Sequence, residues 1–118
     1  MQRRHRLSRS RDFDAVYRRG RSVSTRYLTL YSFAREPAEE DDGEPRLGLA
    51  VSRKTGNAVT RNRIKRQLRE AWTSLLAEVP AGHDYVLSVR EGLPAAAEAR
   101  GHEWLVERVQ EALGKARA

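Results

Sequence analysis

The chain is 118 residues long, which predicts one domain with a modest core and leaves no room for a second. It has no cysteine, which excludes disulfides and thiolate metal sites and fits a cytoplasmic protein. The formal net charge of +7 at pH 7 indicates an acidic partner, and no apolar run approaches the roughly 18 residues of a membrane span. Charge alone does not separate RNA, DNA and anionic membrane as that partner.

The first predicted element is a short helix that begins at a serine cap, Ser8 or Ser10, and ends at Gly20. Helical spacing places Phe13 and Tyr17 on one face of it. Aromatic side chains beside basic ones can stack unpaired bases, but the same spacing is typical of plain core packing. The residues alone leave both interpretations open.

Residues 21–34 have the composition of extended chain, with a short first strand and a longer second one. Alternation in the longer strand places Leu28 and Leu30 on one side and Tyr27 and Tyr31 on the other. The second side is aromatic and partly polar. It therefore extends the possible stacking surface of the first helix.

Residues 36–45 interrupt the basic sequence with six acidic side chains and no basic one. Pro37 and Pro45 bound this tract, which predicts a mobile hairpin connection between two strands. A metal site is the less favoured interpretation, because closely spaced acids without turn-fixed geometry are usually solvated.

A strand over residues 47–52 leads into a long basic helix that begins near Gly56-Asn57 and ends at about Glu78. Asn57 either caps this helix or donates to a phosphate, and both roles stay open. Like-charged residues recur four apart on the helix, which a solvated surface would avoid, so the pattern favours a nucleic acid partner. At about 100° per residue, an apolar stripe (Ile64, Leu68, Ala71, Trp72 and Leu75) adjoins a basic arc (Arg61, Asn62, Lys65, Arg66 and Arg69), while Arg63 points toward the far side.

The last part of the chain predicts a turn at residues 80–82, a strand at 85–89 and a final helix after a Gly–Pro signal. Gly101 breaks the start of that helix, so its firm part is predicted at about 102–114. The order α-β-β-β-α-β-α predicts an α+β fold, a single-domain α/β sandwich spanning residues 1–118. General rules predict a right-handed β-α-β crossover around the basic helix.

No group of side chains has catalytic or metal-binding spacing. His5, His83 and His102 are scattered, and no carboxylate cluster accompanies the basic segments. A protein nuclease needs such carboxylates to hold metal ions against a phosphate. We therefore expect no catalytic residue and no metal ligand in this chain.

Several segments together resemble one family. The run Gly56-Asn57-Ala58-Val59, one further residue and then Arg61-Asn62-Arg63-Ile64-Lys65-Arg66 resembles the RNR signature of the bacterial ribonuclease P protein subunit. Matching segments flank the signature in the family's order: Arg11-Asp12-Phe13 with Tyr17 and Gly20, then Arg46 to Lys54, then Asp84 to Leu87. The likeness runs from about Arg6 to Arg90.

The resemblance implies a rare left-handed β-α-β crossover in place of the right-handed form. It also implies that the catalytic centre lies in an RNA subunit, and that Mg²⁺ is held mainly by that RNA and the substrate. The expected surface for the RNA subunit comprises Arg61, Asn62, Arg63, Lys65, Arg66 and Arg69. The expected cleft for the single-stranded 5′ leader of precursor tRNA comprises Phe13, Tyr17, Tyr31, Arg53, Lys54 and Asn57.

The expected function is assistance in the endonucleolytic removal of that leader, which forms the mature 5′ end of tRNA. The expected partners are the ribonuclease P RNA and precursor tRNA, with no membrane and no obligatory protein partner. One alternative is a ribosomal or ribosome-assembly RNA-binding protein without a nuclease role. Another is an independent metal-dependent nuclease, which the missing carboxylates disfavour.

Overall fold

A four-stranded sheet organises the chain, with its strands in the order β1-β2-β4-β3. The computed structural model describes residues 1–117. Its strands are β1 (Arg21–Ser24), β2 (Leu28–Ala34), β3 (Arg46–Ala50) and β4 (His83–Val89), and its helices are α1 (Ser10–Arg19), α2 (Ala58–Ser74), α3 (Leu93–Arg100) and α4 (His102–Arg117). Short 3-10 turns at Arg3–His5, Arg53–Thr55 and Leu76–Glu78 complete the regular structure of this part.

The order of elements confirms the predicted α+β fold, with one difference at the end of the chain. The predicted final helix is two helices, because Gly101 adopts a φ of 91° between α3 and α4. An L side chain rarely adopts that conformation, so glycine there permits the break. Among the described helices, none is both long and apolar enough to cross a membrane.

The strands β3 and β4 are parallel neighbours joined through α2, so the predicted β-α-β unit is present. Its left-handed crossover stays a prediction. The strand β2 pairs antiparallel with β4 and not with β3. The acidic tract between β2 and β3 therefore does not close the predicted hairpin, because a strand from later in the chain separates the two strands that it joins.

Both faces of the sheet are covered. Leu28 and Leu30 of β2 are buried beneath α2 and α4, whereas Tyr31 and Phe33 of the same strand pack in a smaller cluster with α1. This confirms the predicted alternation within β2. The main core also contains Leu47 of β3 and Leu87 of β4. It is completed by the apolar stripe of α2 and the inner face of α4, through Ile64, Leu68, Trp72, Leu105 and Val109.

Tyr27 is the exception to that alternation. It lies in a bend just before β2 and packs on the same side as Leu28, with its ring centroid 5.1 Å from that of Trp104 in α4. Strict alternation holds only for extended strand backbone, and the bend turns this side chain back to the main core.

The helix α1 approaches the sheet closely at its end. It begins at Ser10 with Arg9 at the N-cap and no side-chain cap bond, so the predicted serine cap is wrong: the two candidate serines lie on either side of the cap position. The predicted end at Gly20 is confirmed. A Cβ at Gly20 would clash with backbone oxygens of Val16 and Ser32, so glycine lets the helix end lie against β2.

An ion network ties the acidic tract to the sheet. The carboxylate of Asp84 in β4 is 3% exposed and accepts two hydrogen bonds from Arg46, both at 2.7 Å. Arg35 donates to Asp84 at 3.2 Å and to both oxygens of Asp41, at 2.6 and 2.7 Å. The Arg35 guanidinium, aided by the Gly43 N–H, holds the pKa of Asp41 well below its usual range.

Candidate nucleic-acid interface

The helix α2 presents the predicted basic arc beside its buried stripe. Ile64, Leu68 and Trp72 are at most 1% exposed, which fixes the rotation of the helix against the sheet. Asn57 caps the helix, because its side-chain oxygen accepts the Thr60 N–H at 2.9 Å. The residues on the adjoining arc are partly or fully exposed, and we call them the α2 basic surface: Arg61, Asn62, Lys65, Arg66 and Arg69.

The cations of the α2 basic surface are uncompensated within the described part of the chain. None of Arg61, Lys65, Arg66 and Arg69 has a carboxylate of residues 1–117 within 4.0 Å. The Nε of Arg61 is buried and finds no hydrogen-bond partner among these residues. Burial and the neighbouring Arg6 lower the pKa of Arg69. Like charges gathered without acids on a fixed surface are what an RNA backbone neutralises.

Arg63 lies outside this surface, as predicted from its position on the helix. Its Nη1 lies 3.7 Å from a carboxylate oxygen of Glu98 in α3. Both side chains are exposed, so the pair is weak. Arg63 therefore stands apart from the other basic residues of α2.

The N-terminal segment adds a residue that the sequence did not predict for this surface. The Leu7 N–H donates to the Leu47 carbonyl at 2.9 Å, which places the segment along the outer edge of β3. Arg6 thereby comes close enough to Arg69 to affect its pKa. The basic density of residues 1–11 was the available signal, but no periodicity indicated where that segment would dock.

The predicted aromatic residues come together between α1 and the sheet. The ring centroids of Tyr17 and Tyr31 lie 4.9 Å apart in an edge-on arrangement, and those of Phe13 and Tyr17 lie 6.4 Å apart. Phe13 and Tyr31 are half-buried against Leu7 and other apolar residues, whereas Tyr17 is 43% exposed. Burial, then the neighbouring Tyr31, raises the pKa of the Tyr17 hydroxyl. We call Phe13, Tyr17 and Tyr31 the aromatic cleft.

Gly48 supports the aromatic cleft from β3, and the sequence did not predict this role. A Cβ at this position in β3 would lie 2.5 Å from the Phe13 ring, so only glycine lets that ring rest on the strand. An isolated glycine in a strand can mark such a close approach, and this was the available signal.

The remaining predicted residues follow β3. Ala50, near the end of this strand, packs in the same cluster as Phe13 and Tyr31. Arg53 and Lys54 come next, in an exposed 3-10 turn that leads to the Asn57 cap of α2. The turn thus carries two exposed cations along the chain from the aromatic cleft to the α2 basic surface.

Carboxylate and imidazole groups do not gather beside these surfaces. Within residues 1–117, the structure has no group of three or more His, Cys, Asp or Glu side chains placed to hold a metal ion. Of the histidines, His5 is buried near Glu44, and the His83 ring is stacked on Tyr85.

Comparison with known proteins gives a consistent result. The sequence model of the family described as Ribonuclease P matches residues 1–117. The ribonuclease P protein component of Brevibacillus brevis is 41% identical over 95 residues, which are 80% of this chain and 72% of that protein. A component of the same name from Bacillus cereus is 40% identical over 91 residues, covering 77% of this chain and 76% of the relative.

Solved structures agree in fold. The ribonuclease P protein from Thermotoga maritima superposes with a TM-score of 0.81 at 28% identity, covering 93% of this chain and 96% of that one. The Staphylococcus aureus ribonuclease P protein superposes with a TM-score of 0.78 at 28% identity, covering 95% and 94% of the two chains.

Proposed function

The chain belongs to the ribonuclease P protein family, and we propose that it docks on the catalytic RNA of that enzyme while gripping the leader of precursor tRNA. As a ribonuclease P protein component it functions in tRNA processing, as a subunit of the holoenzyme. This decides against the alternative of a ribosomal or ribosome-assembly protein. A cytoplasmic location, expected from the absence of cysteine, is part of the proposal.

The α2 basic surface is the proposed contact with the RNA subunit. The observation that carries this assignment is the set of four cations, Arg61, Lys65, Arg66 and Arg69, that have no carboxylate partner among residues 1–117. Their helix is held in a fixed rotation, because the adjoining apolar stripe of α2 is buried in the main core. Each phosphate that they neutralise releases counterions, which favours binding. Asn62 lies among them as a hydrogen-bonding side chain. Arg63 lies outside this surface, and of the basic residues predicted to bind the RNA subunit it is the one whose contribution we expect to be smallest.

The aromatic cleft is the proposed site for the single-stranded leader. Tyr17 keeps much of its ring exposed, while Phe13 and Tyr31 hold it in place from α1 and β2. Stacking on aromatic rings tolerates any base sequence, and a duplex would hide its base faces from them. Arg53 and Lys54 would then hold the leader backbone, and the amide of Asn57 keeps two donors beyond its capping role.

The chemistry of cleavage belongs, in this proposal, to the RNA subunit. The Mg²⁺ ions would be held mainly by that RNA and by the substrate, and this chain would supply no catalytic residue. This chain would contribute by positioning and by electrostatics. Its cations would contact both the RNA subunit and precursor tRNA, two polyanions that otherwise repel each other. Less Mg²⁺ should then be needed to hold RNA subunit and substrate together.

Reconstitution tests the proposal. The purified chain is mixed with a bacterial ribonuclease P RNA and a precursor tRNA, and cleavage is measured across a Mg²⁺ titration. We expect no cleavage by the chain alone and a lower Mg²⁺ midpoint for the RNA when the chain is present. Cleavage by the chain without RNA would overturn the subunit role, and an unchanged Mg²⁺ midpoint would overturn the proposed electrostatic contribution.

A further inference from the structure

A third basic and aromatic cluster lies outside the two surfaces described above. It forms a pocket of about 290 Å³ between the β1–β2 connection and α4. This volume is near the lower end of small-ligand sites, about 300–1,000 Å³, and suits one nucleotide more than a larger ligand. The pocket is lined by Arg26, Tyr27, Arg100, Trp104, Arg108 and Glu111.

The floor of this pocket is a pair of aromatic rings with guanidinium groups around them. Tyr27 and Trp104 meet edge to face, with ring centroids 5.1 Å apart and planes at 78°. The guanidinium carbons of Arg108 and Arg100 lie 5.4 and 5.9 Å from the Trp104 centroid. That of Arg26 lies 5.2 Å from the Tyr27 centroid. Aromatic faces and guanidinium planes together are the groups that hold unpaired bases.

The position of the pocket separates it from both other surfaces. Tyr27 and Trp104 pack against the main core, on the face of the sheet opposite to α1 and the aromatic cleft. The pocket is at the β1 edge, where Lys115 of α4 donates to the Ser24 carbonyl at 2.6 Å. Arg6 and Arg69 lie toward the opposite edge, formed by β3. A nucleotide in this pocket would therefore be an additional contact.

The charge of the pocket favours an anion. Arg26 and Arg100 are exposed, and neither has a carboxylate of residues 1–117 within 4.0 Å. Arg108 is held by Glu107 at 3.7 Å and Glu111 at 3.9 Å, and its buried Nε finds no hydrogen-bond partner among the described residues. Two cations thus remain free to take phosphates beside the aromatic floor.

We propose that this pocket binds one unpaired nucleotide of RNA, with the base stacked on Trp104 and the flanking phosphates on Arg26 and Arg100. A double helix is excluded as the occupant, because its bases are already stacked and its flat faces cannot reach Trp104. The partner is therefore a single-stranded stretch that passes the β1 edge of the sheet.

Tryptophan fluorescence tests this assignment directly. The chain has two tryptophans, and Trp72 is fully buried while Trp104 is only partly buried, so quenching by a bound base reports Trp104. An unlabelled oligouridylate is titrated into the full chain, and binding is followed in parallel by anisotropy of a labelled copy. We expect emission to fall as the oligonucleotide binds, and the fall to vanish in Trp104→Phe.

Charge-matched variants distinguish binding in the pocket from nonspecific electrostatic attraction of RNA to a basic protein. Arg26→Ala/Arg100→Ala should weaken the quenching transition about tenfold, whereas Arg3→Ala/Arg117→Ala, which removes two exposed arginines outside the pocket, should change it less than twofold. Circular dichroism confirms that each variant is folded.

The proposal is overturned if Trp104 emission stays constant while the oligonucleotide is fully bound, or if both double variants weaken the quenching transition equally. Quenching by an acidic peptide as strong as that by oligouridylate would also overturn it, in favour of a protein partner.

Discussion

The three residues of the aromatic cleft differ in how they pack and in how far they are exposed. Phe13 rests on the backbone of Gly48 and belongs to the packing of α1 against the sheet. Tyr17 touches the other two rings but leaves 43% of its surface exposed. Core packing is therefore established for Phe13, whereas base stacking, the other role that the sequence left open, stays a prediction for the exposed Tyr17.

Replacing Tyr17 should separate these roles. We expect Tyr17→Ala to weaken binding of precursor tRNA to the reconstituted holoenzyme by about 1–3 kcal/mol, the usual value of one stacked base, and to leave binding of mature tRNA unchanged. The measurement is the affinity for the two tRNAs, with thermal unfolding of the free protein alongside. Phe13→Ala is the contrasting variant, and we expect it to lower the unfolding temperature as well. Equal losses for both tRNAs with Tyr17→Ala would instead assign this ring to packing.

Among the elements, α2 shows how one helix combines a buried apolar stripe with an exposed surface of uncompensated cations. Its buried stripe fixes the rotation of the helix, and the rotation places the α2 basic surface toward solvent. Burial of the stripe compensates for the repulsion among Arg61, Lys65 and Arg69, which an isolated helix would avoid. The charge pattern is therefore tolerated because tertiary packing holds the helix.

The salt dependence of RNA binding should report this surface. Removing one contact to a phosphate reduces the slope of log affinity against log salt by about 0.7–0.9, so Arg61→Ala/Arg66→Ala should flatten it by between one and two units. The measurement is the affinity for the ribonuclease P RNA at several salt concentrations. Arg63→Ala is the control from the same helix, because its side chain lies beside Glu98, and we expect it to change the slope by clearly less than half as much as the double variant. If each of the three arginines changes the salt slope by the same amount, the separate position of Arg63 does not affect RNA binding.

The contact between α1 and β3 depends on Gly48. We expect Gly48→Ala to push the Phe13 ring off the strand and to lower the free energy of unfolding by about 1–3 kcal/mol, as overpacking does. Urea unfolding measures the change. Gly114→Ala is the matched control: a Cβ there meets no atom within 4 Å, so alanine in α4 should stabilise by up to about 1 kcal/mol. A neutral Gly48→Ala would mean that α1 can shift without cost.

At the scale of the whole molecule, one buried carboxylate connects segments that are far apart in sequence. Asp84 of β4 binds Arg46 of β3 and Arg35 at the end of β2, and Arg35 reaches on to Asp41 in the acidic tract. The acidic tract thus neutralises Arg35 through Asp41, and its Asp42 lies 3.9 Å from Arg4 of the N-terminal segment. It does not neutralise the four cations of the α2 basic surface.

Removing the charge of Asp84 should therefore destabilise the entire fold. Asp84→Asn leaves Arg46 and Arg35 close together without their shared partner, and we expect a loss of about 3 kcal/mol in the free energy of unfolding. Urea or thermal unfolding measures it. Asp42→Asn, at an exposed position in the acidic tract, is the control and should change stability by less than about 1 kcal/mol. Similar small effects for both variants would show that the network contributes little.

Local sequence patterns predicted the α+β fold, the order of its strands and first two helices, and the residues of the α2 basic surface. These follow from periods of 3.6 and 2 residues and from local signals such as the Asn57 cap and the Gly20 and Gly101 breaks, all of which act between near neighbours in the chain. The RNR signature, which is also a short run of neighbouring residues, indicated the family.

Contacts between residues distant in the sequence became visible in the folded molecule alone. Four features of the structure join residues more than thirty positions apart. They are the insertion of β4 between β2 and β3, and the contacts of Gly48 with Phe13, Arg6 with Arg69 and Tyr27 with Trp104. Such contacts depend on how whole elements pack and on where a bend turns a side chain, and no short-range pattern encodes either. For that reason the basic helix could be predicted from the sequence, whereas the pocket at the β1 edge could not.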